Sequence, residues 1–349
     1  MRTATRWSVI GTAVRGSVAA SVFLATGAGV AAQTATQTAT QTVATDWDNV
    51  PKSEFTLFYP GEVSFRWTLD PADGSGPPAG HPSRAVERFR DGGRNCAYCH
   101  EIADDIPAAD WGAEIVRDDD YLGAAIDSNM RHYTDLEVQG TYDDERVYLR
   151  FSWDATGGPQ EPETDEYDSA VAFFFATADV LEAQRTGCWA TCHDDLTGMP
   201  ADRGLTMYLP GSRTAMEPSG GGKNYRSESE LAQLLDDGYF MEYWRIHVGE
   251  GMEPAAGHGY VLEKRNMDFT SGTLEVLSAE RDGDRWVVEV SRRLDESGPG
   301  SIPLAPGETY YGGIAVHNGG SEGRHHYVSM DFDISVGHPP RGDLAIVER

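Results

Sequence analysis

From residue 47 onward, apolar and polar positions alternate or run together in stretches of strand length. Residues 56–59 and 63–69 are β-rich runs parted by the turn signal of Pro60 and Gly61. Residues 137–153 have the pattern of a hairpin. Val138 and Tyr142 lead into Asp143, Asp144 and Glu145, and Val147, Leu149, Phe151 and Trp153 alternate on the return. Residues 170–176 form an unbroken apolar run, as expected of a strand buried on both faces. Residues 274–277 and 286–290 flank Asp282 and Gly283, a second hairpin signal, and 310–316 and 327–336 supply two more strands. Helical periodicity is scarce. It predicts a turn or two over 83–90 and an amphipathic helix over 228–236, with Ser227 as its cap and Leu231, Leu234 and Leu235 as its apolar face. Hairpins separated by long insertions predict a mainly β fold, a β-sandwich or open barrel with long loops and few short helices.

The N-terminal residues follow a different rule. Arg2, Arg6 and Arg15 precede a run of small and apolar residues over 16–30, which closes on Gly29, Val30, Ala31 and Ala32. Residues 1–32 therefore read as a secretory signal peptide, and the mature chain as periplasmic. The run is too short and too rich in glycine and serine for a membrane span, and no later segment has the roughly 18 uncharged apolar residues a span requires. Residues 33–46, largely Gln, Thr and Ala, form a flexible low-complexity leader. Two parts follow: a loop-rich N-terminal segment over 47–130 and a β-sandwich domain over 131–349. A leading strand of the first is free to join the sheet of the second.

Composition narrows the function. Among 349 residues, 40% are hydrophobic and eight are Trp, which excludes a disordered chain. Asp and Glu number 56 against 28 Lys and Arg, a net charge of −28, so nucleic acid is excluded as a partner. Loss of 1–32, with three arginines and no acid, takes the charge to −31. Lysine is limited to Lys52, Lys223 and Lys264. Two readings of this acidity stand level: a saline habitat that screens self-repulsion, or an acidic face that docks a basic partner.

The four cysteines carry the chemistry. Cys96, Cys99 and His100 make the pattern C-x-x-C-H, the attachment signature of c-type haem. Two thiols three positions apart on a turn reach the two vinyl groups of one porphyrin, and the adjacent histidine lies beneath the ring to coordinate iron. A thioredoxin-like disulfide needs a βαβ setting that is not evident, and zinc needs more ligands at short spacing. Cys188, Cys192 and His193 repeat the arrangement with one extra residue between the thiols. The expected cofactors are two covalent haems c, with His100 and His193 as proximal ligands. In an alternative reading the second haem is held non-covalently.

Residues 188–200, C-W-A-T-C-H-D-D-L-T-G-M-P, resemble the haem segment of the cytochrome c-552/DMSO-reductase-type haem-binding family, which is related to the γ subunit of ethylbenzene dehydrogenase. Supporting stretches are 138–153, Tyr243-Trp244-Arg245, 286–294 and 323–329. Residues 57–61, with the downstream C-x-x-C-H, resemble the leading segment of two-haem members. The resemblance implies a β-sandwich that holds haem for electron transfer, often beside a molybdenum oxidoreductase or a membrane-bound electron carrier complex. The ethylbenzene dehydrogenase subunit holds a b-type haem through Met and Lys. This chain instead has Cys188, Cys192 and His193, and His326 falls where the Lys would be, so a His/His iron is the implied replacement.

For the second haem the expected distal ligand is therefore His326, with His325 and His317 behind it. In a strand, His325 and His326 project to opposite faces, so only one of them can point at the iron. For the first haem the expectation is His81, with His132 and Met130 next; Met would raise the potential. His247, His258 and His338 begin as ordinary buried or surface histidines. Trp189, Trp244 and Tyr98 are either core residues or haem borders, and Arg245 and Arg324 are either surface residues or partners of haem propionates. Function is then expected to be single-electron transfer between redox proteins. The rival is a haem enzyme with an open distal site acting on peroxide or a sulfur compound.

Overall fold

The computed structural model describes residues 45–59, 131, 133–158, 166–192, 207–214, 225–321, 326–337 and 342–349, with backbone alone at 186 and 189–192. Its strands are β1 (Lys52–Phe58), β2 (Tyr133–Tyr142), β3 (Arg146–Asp154), β4 (Ser169–Ala176), β5 (Met241–Val248), β6 (Ala255–Val261) and β7 (Arg265–Asp268). They continue with β8 (Glu275–Asp282), β9 (Arg285–Arg293), β10 (Thr309–Asn318), β11 (His326–Val328), β12 (Phe332–Val336) and β13 (Leu344–Glu348). The helices are α1 (Leu181–Cys192) and α2 (Glu228–Asp236). The fold is mainly β, as the hydrophobic pattern predicts.

Hydrogen bonding runs in the order β7-β6-β5-β4-β10-β11-β1-β2-β3-β9-β8. β12 and β13 close the middle of this path, from β10 to β2, into a ring. β12 is antiparallel to β10 and parallel to β13, which runs parallel to β2. One edge of β10 is thus shared by β11 at Ala315, Val316 and His317 and by β12 from Thr309 to Gly312. One edge of β2 is likewise shared by β1 and β13. β1 comes from the segment assigned to the N-terminal part, and all seven of its residues pair with β2.

The folded-over sheet encloses the main core. Leu149, Phe151 and Trp153 of β3 and Val288 and Val290 of β9 meet Val171, Phe173 and Phe175 of β4 and Trp244 of β5. Phe151 and Phe173 lie 5.9 Å apart across the layers, and the Trp153 indole donates to Ser169 Oγ at 3.1 Å. Each such side chain contributes about 1.5–3 kcal/mol by leaving water. A second apolar cluster lies on the opposite face of β4, β5 and β10. Ala172, Phe174, Met241, Tyr243 and Ala315 pack there beneath Ala183 and Cys188 of α1 and beneath Leu209. That double covering is why 170–176 is apolar at every position.

Local signals explain the termini of several elements. Asp143 Oδ1 accepts the backbone N–H of Glu145 and of Arg146 at 2.9 and 2.8 Å, closing the β2–β3 turn. α2 begins at a capping box in which Ser227 and Glu230 satisfy each other's backbone N–H. The expectation of one strand over 327–336 needs correction. The chain bends after β11, and Ser329 Oγ accepts the Ile314 N–H at 2.9 Å, so β11 and β12 are separate strands on β10. The expected strand 63–69 and helical turn 83–90 lie outside the described residues.

Candidate functional site

The second face of the sheet gathers the polar chemistry. In β5 the even positions Glu242, Trp244, Ile246 and Val248 turn inward, whereas Met241, Tyr243, Arg245 and His247 turn to the second face. Register carries that face across four strands. His247 lies opposite Ala170, Ala170 opposite His317, and His317 opposite His326. One step along, Arg245, Ala172, Ala315 and Val328 form the parallel line. The alanines leave a flat floor between the imidazoles and the guanidinium.

His317 and His326 stack, with ring centroids 4.7 Å apart and planes 18° from parallel. Both are buried. Burial and the nearby Arg245 guanidinium hold His317 well below its ordinary pKa, so its ring is neutral. Its Nδ1 meets no hydrogen-bond partner among the described residues. A neutral imidazole with an unused ring nitrogen is the form that ligates metal. Arg245 is oriented by its own neighbours. Its Nε–H donates to His247 Nε2 at 2.9 Å and its Nη1 to Tyr243 Oη at 3.2 Å, and Nη2 donates to the Ser321 carbonyl. Rings of Tyr167 and Phe269 flank His247 at 5.4 and 4.9 Å.

α1 brings Cys188 to the same face. The helix is broken at Gly187, where φ is 60° and ψ −145°. A Cβ on Gly187 would lie 2.4 Å from the Met330 carbonyl carbon, and one on Gly313 would lie 2.3 Å from the Cys188 nitrogen. Two glycines therefore let the helix press onto β10 with Cys188 buried between them. Cys192, four residues on, is the last residue of the helix. From Gly313 to His317 is four strand residues, roughly 13 Å. The residues present fit a haem: a buried thiol position at one end, the stacked imidazoles of His317 and His326 at the other, and small side chains on the floor between.

Of the residues singled out by sequence, Cys188, His317 and His326 are brought to one face of the sheet, with Cys192 on the helix above. Cys96, Cys99, His100, His81, Met130, His132, His193 and His325 lie outside the described residues, as do Tyr98, Arg324 and His338. Trp244 is a core residue, its indole donating to Glu242 Oε1 at 2.7 Å inside the sandwich. Arg245 is buried rather than on the surface. Sequence reading gave His247 no special role, quoted Tyr243 only within the resemblance, and did not single out Met330, which packs at 4% exposure in the cluster of Cys188. Alternation along 241–248 was the available signal, but it is masked because both faces of β5 are buried. Among the described residues no helix is long and apolar enough to cross a membrane.

Comparison with known proteins bears on this arrangement. The chain is 27% identical over 307 residues to cytochrome c-552 of Stutzerimonas stutzeri, covering 87% of this chain and 91% of that protein. It is 24% identical over 298 residues to cytochrome c-551 of Rhodocyclus tenuis, covering 85% and 97%. A family 9 carbohydrate-binding module from Caldicellulosiruptor kristjanssonii shares 11% identity over 57% of this chain and 66% of that one, at a TM-score of 0.25. That overlap is too small to bear on fold or function. The family model described as ethylbenzene dehydrogenase matches residues 44–280, a span that contains β1 to β7, α1 and Cys188. The chain belongs to the ethylbenzene dehydrogenase family.

Proposed function

We propose that the chain is a periplasmic dihaem cytochrome c that passes single electrons between redox proteins, as partner or subunit of a molybdenum-type oxidoreductase or of a membrane-bound electron carrier complex. In this reading residues 1–32 are removed on export, 33–46 form a leader, 47–130 carry the first haem and 131–349 the second. The observation that carries it is the placement of Cys188. Its helix is pressed against Gly313 on the face to which His317 and His326 project. The two cytochromes similar over most of the chain support the same reading.

Bound haem supplies a one-electron ferric/ferrous couple. Cys188 and Cys192 would hold one haem through thioethers, and Cys96 and Cys99 the other. His193 and His100 would ligate the two irons. The second haem would take His326 as its further ligand, with His325 and His317 behind it, and the first His81, with His132 and Met130 as alternatives. Since His317 and His326 stack on one face, one ring would ligate and its neighbour would pack against it. Burial of that face would keep water from the second haem, which supports electron transfer over chemistry at an open iron.

Mass spectrometry of the mature chain tests the reading. The expected mass is that of residues 33–349 plus two haems, and the reduced protein is expected to be low-spin and to bind no carbon monoxide. One haem mass would confine covalent attachment to a single motif. Carbon monoxide binding would favour an enzyme with an open distal site.

A further inference from the structure

Arg213 has no part in the haem contacts assigned above. It follows the 3-10 turn Pro210–Ser212 and pairs with Tyr225 in an isolated antiparallel bridge. Its guanidinium carbon lies over two aromatic rings, 3.8 Å from the Tyr208 centroid and 4.2 Å from that of Tyr225. Only 6% of the residue is exposed, and Nε and Nη1 meet no hydrogen-bond acceptor among the described residues. A guanidinium keeps its charge at any relevant pH. Aromatic faces attract that charge but accept none of its in-plane hydrogen bonds. Two donors at the edge of the plane, Nε–H and Nη1–H, are thus buried and unsatisfied among the described residues.

The place of this stack in the fold points to its ligand. Leu209 packs in the cluster that contains Cys188, Phe174 and Met330. The turn is tied to the cysteine-bearing helix through Tyr239, whose hydroxyl accepts from Gly211 N at 3.2 Å and donates to Glu182 of α1 at 2.9 Å. Arg226 ties it from the other side, its Nε–H donating to the Gly211 carbonyl at 2.6 Å. Arg213 is thereby fixed to the same cover as Cys188. A planar anion approaching edge-on satisfies such a donor set best, and carboxylate matches the guanidinium in plane and charge.

We propose that Arg213 is a carboxylate receptor that binds a propionate of the haem attached at Cys188 and Cys192. The inference rests on the haem reading above. Tyr208 and Tyr225 are positioning residues that hold the guanidinium plane.

Redox titration of the wild type, R213Q and R213K, followed by visible absorption, tests it. In R213Q the midpoint of one haem is expected to fall while the other stays, because an uncompensated propionate favours the ferric form. That midpoint also gains a pH dependence where the propionic acid titrates. R213K keeps the charge without the planar edge, and its midpoint falls less; if R213Q does not accumulate, this smaller fall carries the test. Unmoved midpoints overturn the propionate assignment. A melting temperature raised by sodium acetate over sodium chloride at equal ionic strength, in the wild type but not in R213Q, would then assign the carboxylate to solution. Failure of both arms leaves the stack a structural clamp. The acetate arm runs with or without haem, so a chain that lacks haem altogether fails the functional reading separately.

Discussion

Gly313 decides whether Cys188 can sit where it does. A methyl group there would meet the Cys188 nitrogen at 2.3 Å and the Phe174 ring at 2.4 Å, distances that neither backbone nor a packed ring can absorb. Gly313→Ala is therefore expected to destabilise the protein by about 1–3 kcal/mol, as overpacking does, read as a lower denaturant midpoint. It should also lower haem attachment at the second motif while leaving the first unchanged, which the mass of the purified variant reports. The glycine was visible in the sequence as an oddity inside an apolar strand. Its reason was not, because the atom it accommodates belongs to a residue far away in the chain. The same holds for the histidines. The motifs at Cys96 and Cys188 stand out in the sequence because their spacing is local. The stacking of His317 on His326 depends on the register of β10 and β11, which no local pattern sets.

At the scale of elements, β5 shows how a strand escapes a hydrophobic pattern. All eight of its residues are buried, among them Glu242, Arg245 and His247. Glu242 survives inside the sandwich because its partners surround it. Arg292 pairs with Oε1, His258 Nε2 lies 3.0 Å from the same atom, and the Ile302 N–H donates to Oε2 at 2.6 Å. Arg292 in turn donates to the Ile302 carbonyl at 2.8 Å and lies 5.6 Å from the Trp244 ring centroid. Burial pushes the Glu242 carboxyl up, but the Arg292 charge and the His258 hydrogen bond outweigh it and hold the pKa below the ordinary 4.5. A depressed folded pKa gives stability that is present above the unfolded value and is lost as pH falls through the folded one. Glu242→Gln leaves Arg292 buried without its counter-charge and is expected to cost about 3–5 kcal/mol at neutral pH. The gap between wild type and variant should narrow on acidification to about pH 3, which urea melts at the two pH values measure. The polar strand was unreadable for the same reason that it is stable: its partners come from β6 and β9. By contrast, the β2–β3 and β8–β9 hairpins and the cap of α2 rest on neighbours in sequence, and these the pattern did predict.

For the whole molecule, the excess of acid is the property that a partner meets first. A net charge of −28 produces a field that accelerates encounter with a cationic redox protein and slows it with an anionic one. Electron exchange with a basic cytochrome is expected to slow as salt rises from about 0.01 to 0.15 M, over which the Debye length falls from about 30 to 8 Å. Stopped-flow rates equal at both salts would assign the acidity to a saline habitat instead. Mainly β architecture was legible at this scale from strand-length runs and turn signals. Closure of the sheet was not, because β1 joins β11 and β13 joins β2 across most of the chain. Thr141 Oγ1, for instance, donates to the Val347 carbonyl 206 residues away. Such non-local pairings form late, since the entropy of closing so long a loop comes before any contact offsets it. The packing of α1 on β10 is of the same kind, since Cys188 and Gly313 are far apart in sequence, and the Cys188 thiol is covered only when it forms. On the proposed function, porphyrin attachment at Cys188 thus belongs to the interval before α1 docks, and slow folding becomes the time window in which the cofactor is installed.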